Sequence, residues 1–178
     1  MSSSLISKSE AEARLAPPGA SPVGAAGMAA LPRWARILSW LGAGWIAWEF
    51  GYYEQFKLTG DEGSVHLFTI LSDWLGTPGG EKPFRLFVGS QEIIAAVLVL
   101  LPWTRVPGAA LSFMTMAGAI FFHLASPLGV DPYGDGGVLF TEAVITLFVA
   151  AAILVLHRSE WRGWIRLVHA RIAPWRRE

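Results

Sequence analysis

Polar and apolar positions along the chain fall into long blocks and do not alternate with the two-residue period of strands. Residues 37–56, 84–101, 108–125 and 138–156 are apolar runs of 18 to 20 residues, about the length a helix needs to cross the roughly 30 Å of a bilayer core. This pattern predicts an all-α fold, an integral membrane four-helix bundle. The connection holding Pro102, Trp103, Thr104, Arg105, Val106 and Pro107 is short enough for a tight antiparallel hairpin. Between the first two runs, residues 64–75 place Leu67, Phe68, Leu71, Trp74 and Leu75 at helical spacing, with His66, Thr69, Ser72 and Asp73 opposite. That segment is too short to span, and its two faces predict a helix lying in the outer interface. Thr77, Pro78, Gly79 and Gly80 end it. Residues 126–137 are dense in turn formers, and Asp131 and Asp135 there are expected to face solvent.

The flanks differ from this core. Residues 1–31, rich in Ser, Ala, Pro and Gly, are expected to be a disordered tail without the continuous apolar core of a secretory signal, so the first span acts as an uncleaved signal. From residue 158 on, Arg158, Arg162, Arg166 and Arg171 interleave with Trp161, Trp164, Ile165, Val168 and Ile172. A basic amphipathic helix over 158–178 would suit an anionic cytoplasmic leaflet. A retention tail that merely follows the distribution of positive charge is the alternative. The chain thus divides into a tail (1–31), a transmembrane domain (32–157) and a basic segment (158–178).

Composition agrees with a membrane protein. The chain is 53% hydrophobic and 16% charged, against about 25% charged in soluble domains, and its mean hydropathy is +0.43. A formal charge of zero, with no basic block in the middle of the chain, gives no sign of a nucleic-acid partner. The absence of cysteine excludes disulfides, thiol catalysis and thiolate metal ligands. Trp34, Trp74, Trp103, Trp161 and Trp164 stand at or just beyond the ends of apolar runs, as an interfacial belt requires.

Charge also orients the spans. Eleven of the fourteen Lys and Arg residues fall on the side of the two termini and the 102–107 turn, and only Lys57, Lys82 and Arg85 on the other. The positive-inside rule places both termini in the cytoplasm.

Against this background the polar residues inside the spans stand out. Glu92, with Gln91 beside it, lies in the middle of the second run, where a carboxylate costs roughly 2.5 to 3.5 kcal/mol unless it faces a bundle interior or a wet cavity. Glu49, Tyr53 and Lys57 repeat at four-residue intervals on the first span, Glu54 sits three residues before Lys57, His123 is near the end of the third span, and Glu142 is one turn into the fourth. All belong to the outer half, so an inward-facing polar pocket is expected, with Lys57 paired to Glu54 or Glu92 and with His123 and Glu142 near its mouth. Three uses remain open: a polar network that fixes helix register, a proton- or electron-linked site for a lipid-soluble carrier such as a quinone, and transport of a small solute. As metal ligands, His123, Glu92 and Glu142 lack the i, i+3 or i, i+4 spacing of a di-metal bundle.

One resemblance adds to this reading. The run Tyr52, Tyr53, Glu54, Gln55, Phe56, Lys57, the segment Val88, Gly89, Ser90, Gln91, Glu92 and the segment Ala117, Gly118, Ala119, Ile120, Phe121, Phe122, His123, followed by Asp135, Gly136 and Gly137, resemble the DoxX family. The matching features are a Lys closing the first helix, a Gly-x-x-Glu opening the second and a His near the end of the third. The resemblance covers about 33–157. It implies a small four-helix protein of the bacterial inner membrane, in some relatives linked to quinone-coupled sulfur oxidation or redox homeostasis beside a partner protein. Without cysteine, this chain cannot run persulfide chemistry itself.

Overall fold

A computed structural model describes residues 31–160, and within them the chain is all-helical, with no strand. Its elements are α1 (Arg33–Thr59), α2 (Glu62–Trp74), α3 (Glu81–Leu100), α4 (Arg105–Ala125) and α5 (Val138–Leu156). The predicted disordered tail up to residue 30 and the arginine-rich segment from residue 161 onward lie outside the described residues.

The long helices match the four apolar runs, but three of them extend further. Helix α1 continues through Lys57 to Thr59 and stops at Gly60, whose N–H caps the Phe56 carbonyl. Helices α3 and α4 each begin three residues before the expected start and carry a proline, Pro83 or Pro107, in the first turn. A proline is tolerated there because first-turn N–H groups have no intrahelical acceptor. Arg105, expected in a connecting turn, is therefore the first residue of α4.

Packing follows a closed cycle in which α1 meets α3, α3 meets α4, α4 meets α5 and α5 returns to α1, while α2 packs against α3 and, to a lesser extent, α1. The shared core is formed by Ala43, Ile46, Phe50, Val99, Met116 and Ile153. The outward faces are apolar as well: Leu41, Trp48, Ile94, Met114, Phe148 and Val155 are each more than half exposed. Helices α3, α4 and α5 are long and apolar enough to cross a membrane. Helix α1 is longer still, but it carries Arg33, Arg36, Glu49, Glu54 and Lys57 and falls outside that group. Helix α2 buries Ser64, Phe68, Leu71 and Ser72 and leaves Trp74 and Leu75 exposed. Of the predicted apolar stripe, Phe68 and Leu71 are buried, Leu67 is half-buried, and Trp74, though exposed, packs against Phe121 and Phe122 of α4.

The α3–α4 hairpin is closed by contact between backbones. A Cβ on Gly108 would lie 2.7 Å from the Leu98 carbonyl carbon and 2.8 Å from Val99 Cα, atoms that cannot rotate away. Gly108→Ala should therefore destabilise the protein by about 1 to 3 kcal/mol through overpacking. Gly44→Ala, where nothing lies within 4 Å, should instead stabilise by up to about 1 kcal/mol. Thermal unfolding of the two variants side by side, in the same detergent, checks the contrast.

Candidate functional site

The inner face of α1 brings the chemistry together. Glu49, Tyr53 and Lys57 recur once per turn, and at the end of this row the Lys57 ammonium lies 2.6 Å from Glu92 Oε2 and 3.2 Å from Glu54 Oε1. The expected choice between two partners is thus resolved as a bridge to both. Glu54 and Glu92 are each 4% exposed, so the triad is a desolvated cluster of two carboxylates and one cation. Gly89 makes it possible: a Cβ there would fall 2.5 Å from Glu54 Oε2. The three-residue spacing of Gly89 and Glu92 puts the opening and the second carboxylate on one face of α3.

Arg85 reinforces the same corner. It donates from Nε to the Glu81 carboxylate and from Nη1 to the Lys57 carbonyl, one of the C-terminal carbonyls of α1 that has no acceptor role within the helix. In the sequence Arg85 counts simply as one of the few positive charges on the outer side. In the fold it is buried and acts as a clamp between α3 and the end of α1.

The remaining predicted residues take distinct places. The Tyr53 hydroxyl donates to Glu142 Oε2, tying α1 to α5. Glu142 is thereby engaged inside the helix ring and does not line the cavity, and the Trp45 indole N–H donates to Thr146 Oγ1 one turn further along α5, at 2.9 Å. His123 is buried, with Nδ1 2.6 Å from the Gly129 carbonyl oxygen. A carbonyl only accepts, so Nδ1 carries the hydrogen in this contact. Two carboxylate oxygens, Glu49 Oε2 and Glu54 Oε2, are buried with no hydrogen-bond donor among the described residues.

These groups border a cavity of about 690 Å³. Glu49, Tyr53, Lys57, Gln91, Glu92 and His123 line it, whereas Glu54 stands behind Lys57, outside the lining. The walls are mainly aromatic and aliphatic, from Tyr52, Phe56, Phe68, Phe84, Phe87, Phe122 and Leu139. Such a space, apolar with a few convergent polar groups, has the dimensions of a small-molecule site.

The sequence points to the charged floor of this cavity but not to its cover. Tyr133, from the 126–137 loop, lines the cavity and donates to the Gly63 carbonyl at 3.1 Å, reaching the first turn of α2. Partial burial, and after it the neighbouring Asp61 carboxylate, push its phenol above the ordinary value, so it remains a neutral donor. Asp131 and Asp135 are exposed, as expected, but both are occupied: Asp131 accepts from the N–H groups of Asp135, Gly136 and Gly137, and Asp135 from those of Gly137 and Val138, which builds the start of α5. Only the density of turn residues hints at this organisation.

A second buried polar cluster, which the sequence pattern does not predict, lies at the opposite end of the helices. Ser39 Oγ is 2.8 Å from His157 Nε2, and His157 Nδ1 is 2.6 Å from Glu160 Oε1. Arg105 donates to the Val99 carbonyl at 3.0 Å and to Ser39 Oγ at 3.3 Å, with its guanidinium carbon 3.9 Å from the centre of the Trp40 ring. The i, i+3 spacing of His157 and Glu160 is the one available signal.

Fold and site together define an all-helical protein in which apolar helices surround a buried charged cluster open to a cavity. In comparisons with known proteins the chain matches no family model, no characterised protein and no solved structure.

Proposed function

We propose that this chain is a DoxX-like four-helix protein of the bacterial inner membrane that binds a quinone-like ligand in its outer-half cavity, as the membrane subunit of a redox system. The observation that carries the reading is the desolvated Lys57–Glu92–Glu54 cluster opening on a cavity of about 690 Å³ with aromatic walls. An isolated charge inside an apolar helix is costly, and such groups most often serve a site. Aromatic walls suit a flat ring, Lys57 has a hydrogen left to donate to a ring oxygen, and His123 Nε2 can accept from a ring hydroxyl.

A membrane location with both termini in the cytoplasm is supported by the apolar outward faces, by the three helices long enough to cross, and by the bias of eleven of fourteen basic residues to one side. Trp34, at the start of α1, and Trp103, in the α3–α4 turn, are both exposed at helix ends as interfacial anchors would be. Without cysteine the chain has no thiol couple of its own, and in this reading the electrons are exchanged with a partner subunit, whether the chain stands beside it singly or as a homo-oligomer.

One observation favours a second reading. The cluster is cross-braced, with Lys57 bonded through its side chain to Glu54 and Glu92 and through its carbonyl to Arg85. Such a clasp would equally suit a structural or interaction subunit. Glu92→Gln separates the two. As a ligand site, the variant should bind a short-chain quinone at least about tenfold more weakly, a loss of about 1.4 kcal/mol. Unchanged quinone affinity together with a lowered melting temperature would leave the clasp, and solute flux by the protein in vesicles would point to transport instead.

A further inference from the structure

The cavity lining has more acceptors than donors. Glu49 is 4% exposed and lines the cavity, and its Oε2 has no donor among the described residues. His123 uses its Nδ1 hydrogen on the Gly129 carbonyl, so the neutral ring keeps Nε2 as an acceptor. Most donors are already engaged: two of the three Lys57 ammonium hydrogens with Glu54 and Glu92, the Tyr53 hydroxyl with Glu142, and the Tyr133 hydroxyl with the Gly63 carbonyl, which leaves one Lys57 hydrogen that a ring oxygen of either redox form can accept. Tyr52, Gln91 and Ser64, which also line the cavity, can both donate and accept and so favour neither kind of ligand. What the lining calls for is a donor to a buried carboxylate oxygen, a group that is expensive to leave unsatisfied.

The two redox forms of a quinone differ in this respect. The ring oxygens of the oxidised form are carbonyls and only accept, whereas those of the reduced form are hydroxyls and can donate. We infer that the cavity selects the reduced quinol over the oxidised quinone, with Glu49 accepting from one hydroxyl and His123 able to accept from another. This inference rests on the reading that a quinone-type ring occupies the cavity, and it adds the form in which the ring is held. No electron transfer is part of it. The selection is a difference in affinity, and a site with that difference draws ligand from the reduced pool.

The test compares decylubiquinol and decylubiquinone binding to the purified full-length protein in lipid nanodiscs, titrated anaerobically at pH 8.5, where Glu49 is a carboxylate, and followed by quenching of the tryptophan emission. The expected result is quinol binding tighter by about tenfold or more, the discrimination that one hydrogen bond to a charged acceptor supplies. Glu49→Gln, which keeps the shape and removes the charge, should reduce the ratio to under about threefold by weakening the quinol alone. If neither form binds, the quinone reading itself fails. If both bind equally, that reading survives and the selection is wrong. Tighter binding of the oxidised form would mean that Glu49 enters the complex protonated and donates, which also overturns the inference. Equal weakening of both forms by Glu49→Gln would assign Glu49 a merely structural part and remove it from the proposal.

Discussion

Replacing Lys57 by Met should destabilise the folded protein by about 3 to 5 kcal/mol, the usual consequence of removing one partner from a buried ion pair. Lys57 is the cation between Glu54 and Glu92, at 3.2 and 2.6 Å, and both carboxylates are almost fully buried. Methionine fills a similar volume and leaves two desolvated carboxyl groups facing each other across α1 and α3 with no cation to balance a charge on either. The loss should be rescued in part by a second change. In Lys57→Met/Glu92→Gln one of the stranded carboxyl groups is gone, and replacing a whole buried pair by neutral groups is often close to neutral. Denaturation of wild type, the two single variants and the double variant gives the coupling energy. A coupling below about 0.5 kcal/mol would show that the bridge contributes nothing to the fold. In the same variants quinone affinity should fall with Lys57→Met and stay low in the double variant, because repairing stability does not restore the cation at the cavity.

Much of this end of the molecule is legible in the sequence, for a definite reason. A charge within an apolar run has so few tolerable positions that Glu92, Glu49 and Lys57 by themselves announce an inward-facing cluster. Their common depth follows from counting residues along helices of fixed rise. What escapes are features that depend on how helices meet. Arg85 reads as a surface charge until α3 is seen to begin at Glu81 and pass the C-terminus of α1, where the Lys57 carbonyl needs a donor. Glu142 looks like another pocket carboxylate by depth, but the rotation of α5 gives it to Tyr53, outside the cavity lining. Helical periodicity cannot supply a rotation of that kind. The prolines at 83 and 107 mislead in the opposite sense, since a proline that breaks a helix in its interior is harmless in the first turn.

The second large effect is expected at the far end, where the sequence offers least. Arg105→Met should also cost about 3 to 5 kcal/mol, because this side chain, 0% exposed, satisfies groups from two other helices at once. Helix α3 ends at Leu100, so the carbonyls of its last turn have no intrahelical donors. Thr104 Oγ1 donates to the Leu98 carbonyl at 2.9 Å and Arg105 Nε to the Val99 carbonyl at 3.0 Å. From there the guanidinium reaches Ser39 on α1, whose hydroxyl meets His157, which is in turn bonded to Glu160. Methionine leaves the Val99 carbonyl buried without that donor and takes the positive charge away from a carboxylate only 5% exposed. Lysine should recover only part of the loss, because a single ammonium cannot reproduce the fork that reaches both Val99 and Ser39 while lying over the Trp40 ring. The melting temperature in detergent should drop by about 6 to 20 °C for Arg105→Met and by roughly half as much for Arg105→Lys. Quinone affinity measured well below the lowered transition should be unchanged in both, since none of these groups lines the cavity. A parallel loss of affinity would instead mean that the two polar clusters are coupled through α1, and that the fold at one end sets the geometry of the site at the other.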